Sequence, residues 1–201
     1  SAIIGTPAAA LYEAAQRIGA LGTLGTWAAG NAVSPMLSDA HARKQTARMQ
    51  DLLIASSWTA LLPAFIILLC LMPWGGWVLQ LFGADYTAAH GALLALAGFA
   101  AINASAGLAS HTFNMTGHEG IVLRFNGAQL LTILILAPLL THLMGITGAA
   151  LAVLLASIVR DVGMSLLLPS KLGLSPGVWS RLGARRALEL ALAFRGKSKD
   201  L

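Results

Sequence analysis

Residues 52–72 read LLIASSWTALLPAFIILLCLM, a run of 21 residues without a charged side chain. A helix needs roughly 20 mostly apolar residues to cross the hydrocarbon core of a bilayer, so this stretch predicts a membrane-spanning helix. Four further stretches on either side of it have a similar length and composition. The five predicted spans cover about 7–36, 52–72, 88–112, 125–143 and 147–169.

The composition of the whole chain agrees with these spans. Of its 201 residues, 57% are hydrophobic and 10% are charged, and the mean hydropathy is +0.74. Average soluble domains contain about 25% charged residues. We therefore predict an integral membrane protein with an all-α fold, a polytopic transmembrane helix bundle of about five spans.

The basic residues predict how the spans are oriented. Eleven of the 13 Lys and Arg residues fall in alternate connections or in the tail after Pro169. The intervening connections, 73–90 and 144–147, contain none. The positive-inside rule places the basic connections in the cytoplasm. The N-terminus is then expected outside and the C-terminus inside.

Two regions follow from this topology, a transmembrane region over residues 1–169 and a basic cytoplasmic tail over residues 170–201. Within the tail, SPGVWSRLGARRALELALAF can form an amphipathic helix at the membrane interface, with Arg181, Arg185 and Arg186 facing anionic headgroups. A solvated basic tail is the alternative. The first span is expected to end at Ser34 and Pro35, because the residue before a proline disfavours the α conformation.

Charged side chains inside the spans are the candidate site residues. Glu13 and Arg17 are spaced i, i+4 on one helix face, with Gln16 beside them, and Arg160 and Asp161 fall near the middle of the fifth span. Charges at bilayer depth cost a few kcal/mol and usually face a bundle interior or a wet cavity. Arg17 could meet an anionic substrate while Glu13 positions it or carries a coupling proton. Alternatively, each pair neutralises itself near a membrane surface.

Other polar residues in the spans are expected to bond neighbouring helices rather than substrate. They are Asn103, Ser105, Ser110, His111, Asn114, Asn126 and Gln129. Nucleotide-binding GxxxxGK[ST], zinc-binding HExxH and CxxC are absent from the sequence. An enzyme, a metal site and a cofactor are therefore not expected.

Four segments together resemble a known transporter family. ALYEAAQRIGAL is similar to its Tyr-x-x-Ala-x-Arg-Ile span, and NAVSPMLSDA to the Pro-x-Leu-Ser that ends that span. LQLFGADYTAAHGALLAL resembles its Phe-Gly-x-x-Tyr-x-x-Ala segment, and MGITGAALAVLLASIVRD its Gly-Ile-x-Gly-Ala-Ala hairpin. The family is the multidrug/oligosaccharidyl-lipid/polysaccharide exporter superfamily, in its O-antigen and polysaccharide biosynthesis branch. The resemblance covers about residues 1–169.

The resemblance implies one half of a 12- to 14-helix, inverted V-shaped transporter, with this chain as the C-terminal half and the N-terminal half of the same chain missing. Such a transporter flips a polyprenyl-pyrophosphate-linked oligosaccharide to the outer leaflet of a bacterial inner membrane by alternating access. By the motif match, Tyr12 and Arg17 are the residues carried over.

The expected partners are the lipid-linked saccharide, membrane lipids and a coupling H⁺ or Na⁺ ion, without nucleic acid. A cation-coupled multidrug (MATE-like) exporter is the alternative within the superfamily. A membrane glycosyl- or acyltransferase and a non-transporting scaffold are alternatives from other classes.

Overall fold

The computed structural model describes residues 6–106 and 108–175, and these residues are helical with no strand among them. Seven α-helices follow one another: α1 Thr6–Ala20, α2 Leu24–Ala42, α3 Thr46–Gln80, α4 His90–Ser105, α5 Ala109–Met115, α6 Glu119–Ser157 and α7 Gly163–Leu172. Short 3₁₀ helices occupy Leu21–Thr23 and Ala84–Ala89, and a π-helical turn occupies Ile158–Val162. The predicted all-α fold is confirmed.

Three helical stretches within the described residues are long and apolar enough to cross a membrane. They are Thr46–Gln80, Asp85–Ser105 and Glu119–Leu172. The last is 54 residues long, which far exceeds the roughly 20 residues that one crossing requires. It contains one break in its backbone, at Gly145.

Gly145 divides α6 into a first arm (119–144) and a second arm (146–157). Its φ of 59° and ψ of −137° are not helical and favour glycine. The arms run back along each other, because Arg160 beyond the second arm bonds Asn126 on the first, and Gly148 packs against Leu140. The break falls in the predicted MGIT connection between the fourth and fifth spans.

The predicted end of the first span at Ser34 and Pro35 is wrong. The helix continues through Pro35 to Ala42, and the real interruption of this span lies earlier, at the 3₁₀ turn Leu21–Thr23. A proline removes one backbone hydrogen bond. Leu37 and Ala40 beyond it are fully buried, and this packing favours continuation of the helix.

Two other predicted boundaries differ from the structure. Helix α3 runs on to Gln80, so residues 73–80 are helical rather than part of a connection. The predicted third span, 88–112, is divided: α4 ends at Ser105 and α5 begins at Ala109. The Ser165 hydroxyl of α7 shares its proton between the carbonyl of Asp161, at 2.8 Å, and that of Ala106, at 3.0 Å. The second contact serves a carbonyl freed at the end of α4.

Helix α4 is the centre of the packing. Its small and branched residues form a buried cluster with Ala15 of α1, Leu79 of α3 and Ala150 of the second arm of α6. A Cβ at Gly19 would lie 2.9 Å from the Cβ of Leu96, and a Cβ at Gly22 would lie 2.8 Å from that of Ala100. Small residues therefore allow α1 and α4 to approach closely, as is typical of helices packed in lipid.

The first arm of α6 contrasts with this core. Its most apolar stretch is almost entirely unburied. Leu130, Leu131, Leu134 and Ile135 are each more than half exposed. A solvent-exposed apolar surface of this length would be unfavourable in water, whereas it suits a hydrocarbon environment.

Connections that the charge pattern assigns to the cytoplasm meet at one end of the molecule. Leu37 and Met49 flank the α2–α3 connection and Leu174 follows α7, and all three belong to one buried cluster. The predicted amphipathic helix of the tail lies outside the described residues.

Gln50 of α3 ties the last described residues to this end. Its Nε2 donates to the carbonyl of Ser175 at 2.9 Å, and its Oε1 accepts from the Ser175 amide at 2.7 Å.

We expect Gln50→Ala to lower the free energy of unfolding by about 1 kcal/mol, because two partly exposed hydrogen bonds are lost. Denaturant unfolding in detergent measures the change, with Gln80→Ala as a matched control on the same helix. An equal effect of both substitutions would contradict the prediction.

Candidate functional site

Arg160 and Asp161 lie together on the π-helical turn that joins α6 to α7. Such single π turns insert one residue into a helix and are frequent at functional sites. The Asp161 side chain is 4% exposed and that of Arg160 is 21% exposed. The structure therefore buries Asp161 and leaves Arg160 partly exposed.

The pair is held by side chains from two other helical segments. Arg160 Nη1 donates to Asp161 Oδ1 at 3.2 Å, and Arg160 Nε donates to Asn126 Oδ1 on the first arm of α6 at 2.8 Å. Asn103 of α4 donates from Nδ2 to Asp161 Oδ2 at 3.2 Å. Both carboxylate oxygens thus have donors, which offsets part of the cost of burying the charges.

A cavity of about 430 Å³ opens beside this network. Its walls come from the turn before α2, from α2, α4 and α5, and from the π turn and α7. The lining residues include Thr23, Thr26, Trp27, Asn31, Phe99, Asn103, Ser110, His111, Arg160 and Asp161. Its size and its mixture of aromatic and polar groups are those of a small-molecule site.

His111 of α5 also lines the cavity and packs against α2. Ser34 Oγ donates to the carbonyl of Gly30 at 2.6 Å and lies 3.1 Å from His111 Nδ1. Since the single hydroxyl proton of Ser34 is used, His111 Nδ1 must donate to Ser34 Oγ. The imidazole is therefore fixed in orientation between α2 and the cavity.

Glu13 and Arg17 lie elsewhere. Their ion pair measures 2.7 Å, and the side chains are 62% and 80% exposed. Gln16 is also exposed, while Tyr12 packs against the buried cluster around α4. The structure joins Glu13 to Arg17 but places neither beside Arg160 and Asp161. The cavity lining does not include Tyr12, Glu13, Gln16 or Arg17. Their role as substrate contacts stays a prediction.

The sequence reasoning missed the α2 wall of the cavity. Thr23, Trp27 and Asn31 are spaced i, i+4, i+8 and so share one helix face, a signal that was present in the sequence. Asn103, Ser110, His111 and Asn126 were expected to serve packing. Three of these four line the cavity, and Asn126 anchors Arg160.

Among the described residues, no group of three or more His, Cys, Asp or Glu side chains could hold a metal ion. No protein-family model, curated protein or solved structure matches the chain. The described residues form an all-helical protein with three helices long and apolar enough to cross a membrane, and a polar cavity beside Arg160 and the buried Asp161.

Proposed function

We propose that this protein is a membrane transporter that flips a polyprenyl-pyrophosphate-linked oligosaccharide from the cytoplasmic to the outer leaflet by alternating access. In this proposal the chain is the C-terminal half of the transporter, and an N-terminal half completes the translocation pathway. The membrane is the bacterial inner membrane, with the first residues outside and the tail inside.

The observation that carries the proposal is an arginine held beside a cavity within the apolar helical stretch Glu119–Leu172. Arg160 lies 12 residues before Leu172, the end of α7, which corresponds to about 18 Å of helix. If Leu172 lies at the inner interface, Arg160 is near the middle of a hydrocarbon core of about 30 Å. A guanidinium at that depth suits a phosphate-bearing substrate, since it can bind phosphate oxygens in pairs.

The exposed apolar surface of the first arm of α6 supports the same proposal. This surface suits lipid tails, including the polyprenyl chain of the substrate, while the cavity suits the polar headgroup. Arg17 and Glu13, exposed on α1, are then available to the N-terminal half or to substrate. The sequence resemblance gives the saccharide as the cargo.

A cation-coupled exporter is the second candidate, and one observation favours it. Asp161 is a nearly fully buried carboxylate on the cavity wall, and buried acids in membrane helices are typical of proton and cation relays. In the proposed flippase, this residue instead balances the charge of Arg160.

Proteoliposomes containing the full-length gene product test the proposal. A polyprenyl-pyrophosphate-linked trisaccharide carrying a nitrobenzoxadiazole label is placed in the membrane, and dithionite reports how much label has crossed. We expect transfer by the wild-type protein, and a loss of at least tenfold in Arg160→Gln. Arg160→Lys keeps the charge but loses the paired contacts, so we expect an intermediate rate.

Two outcomes would contradict the proposal. The first is wild-type vesicles that leave the labelled lipid in its original leaflet. The second is vesicles that export a cationic dye along a proton gradient while the lipid stays in place, which would favour the exporter.

A further inference from the structure

We infer that the cavity beside Arg160 binds a sugar phosphate, with Arg160 contacting the phosphate, Thr26 and Asn31 contacting sugar hydroxyls, and Trp27 covering a sugar face. This inference rests on the proposed function and assigns the substrate headgroup to a defined set of residues. It places headgroup binding at the cavity rather than at the exposed Glu13–Arg17 pair.

The first argument concerns the hydroxyl of Thr26. The residue is 9% exposed and lines the cavity, yet its Oγ1 has no hydrogen-bond partner among the described residues. A buried polar atom without a partner costs about 1–3 kcal/mol. In a native structure such an atom needs an explanation, and a bound ligand is one.

Three other helical threonines make a backbone hydrogen bond that Thr26 lacks. The hydroxyls of Thr59, Thr112 and Thr132 each donate to the carbonyl four residues earlier. For Thr26, that carbonyl belongs to Gly22, which lies in the 3₁₀ turn Leu21–Thr23. The Thr26 hydroxyl makes no hydrogen bond to that carbonyl. The hydroxyl is therefore free to bond a ligand in the cavity.

The second argument concerns the rest of the α2 wall. Trp27 is 71% exposed and lies on the cavity wall one helical turn from Asn31. An indole face is apolar and suits the C–H face of a sugar ring, while the amide of Asn31 can donate to and accept from hydroxyls. An aromatic surface beside amide and hydroxyl groups is the chemistry that a carbohydrate requires.

The third argument concerns the charge that faces the cavity. Asp161 is almost fully buried, and its two oxygens accept from Asn103 and Arg160. Arg160 is more exposed, and its bonds to Asn126 and Asp161 use one N–H at Nε and one at Nη1. The remaining guanidinium N–H groups can donate to an anion. The cavity thus presents hydrogen-bond donors to an oxyanion although the ion pair is neutral.

The test uses the purified full-length gene product in detergent and isothermal titration calorimetry with glucose 1-phosphate as the probe. The two controls are inorganic phosphate, which has only the phosphate group, and methyl glucoside, which has only the sugar. We expect glucose 1-phosphate to bind at least tenfold more tightly than either. Equal affinity for inorganic phosphate, or the absence of saturable binding, would overturn the inference.

Thr26→Val separates ligand binding from a structural role. Valine keeps the branched shape and removes the unpaired hydroxyl, so the ligand-free protein should melt at the same or a higher temperature. We expect the affinity for glucose 1-phosphate to fall about three- to tenfold, as for one lost hydrogen bond. An unchanged affinity in a folded Thr26→Val protein would overturn the assignment of this contact.

Arg160→Gln and Arg124→Gln form a matched pair, because each removes one positive charge and Arg124 is exposed on the first arm of α6, outside the cavity lining. The inference predicts loss of glucose 1-phosphate binding in the first and wild-type binding in the second, and the opposite result would overturn it. Probe binding without lipid transfer in vesicles would uphold the cavity and reject the flippase. Lipid transfer without binding of the probe would support the flippase and reject the cavity as the headgroup site.

Discussion

Replacing Asp161 with alanine is expected to lower the free energy of unfolding by about 3 kcal/mol, the lower end of the effect of removing one partner from a buried ion pair. The substitution leaves the Arg160 charge uncompensated and takes the acceptor from Asn103. The lower end applies because 21% of the Arg160 side chain stays exposed. Denaturant unfolding in detergent micelles, followed by tryptophan fluorescence, measures the change.

Glu13→Ala is the matched control, because it also removes the acidic partner of an arginine. Its ion pair with Arg17 is shorter, at 2.7 Å, but both side chains are mostly exposed. Exposed pairs in water contribute little to stability. If Glu13→Ala lowered stability as much as Asp161→Ala, the expected difference between an exposed and a buried ion pair would be contradicted. Such a loss would show that the Glu13–Arg17 face is buried in the assembled protein.

The helical fold could be predicted from the sequence because long apolar runs have few alternatives. Each run needs a partner for every backbone group in lipid, and a helix supplies those partners internally. The helix ends were predicted less well. Pro35 does not end α2, whereas the break at Leu21–Thr23 carries no proline. The packing of neighbouring helices determines where such breaks fall, and this packing cannot be predicted from a single sequence.

The candidate site could also be predicted only in part. Arg160 and Asp161 could be singled out from sequence, because charges inside apolar runs are rare and costly. Their contacts could not, since Asn126 is 34 residues and Asn103 is 58 residues away along the chain. Polar residues that were expected to bond neighbouring helices therefore line a cavity in the folded protein.

The close packing of the two α6 arms leads to the second large effect. Gly148 is buried, and a Cβ at this position would overlap the backbone carbonyl of Leu140. A side chain could rotate away from such a contact, but a backbone carbonyl in a helix cannot. Gly148→Ala must therefore push the arms apart, and we expect a loss of about 3 kcal/mol, the upper part of the range for overpacked cores.

Gly127→Ala on the first arm is the control for this substitution. A Cβ there meets no atom within 4 Å, so alanine should leave stability unchanged or raise it by up to about 1 kcal/mol through its higher helix propensity. Separation of the arms in Gly148→Ala would also lengthen the 2.8 Å bond between Arg160 and Asn126. We therefore expect weaker glucose 1-phosphate binding in Gly148→Ala at temperatures where it stays folded. Equal stabilities of the two variants would mean that the arms are not in backbone contact, and that the position of Arg160 does not depend on their spacing.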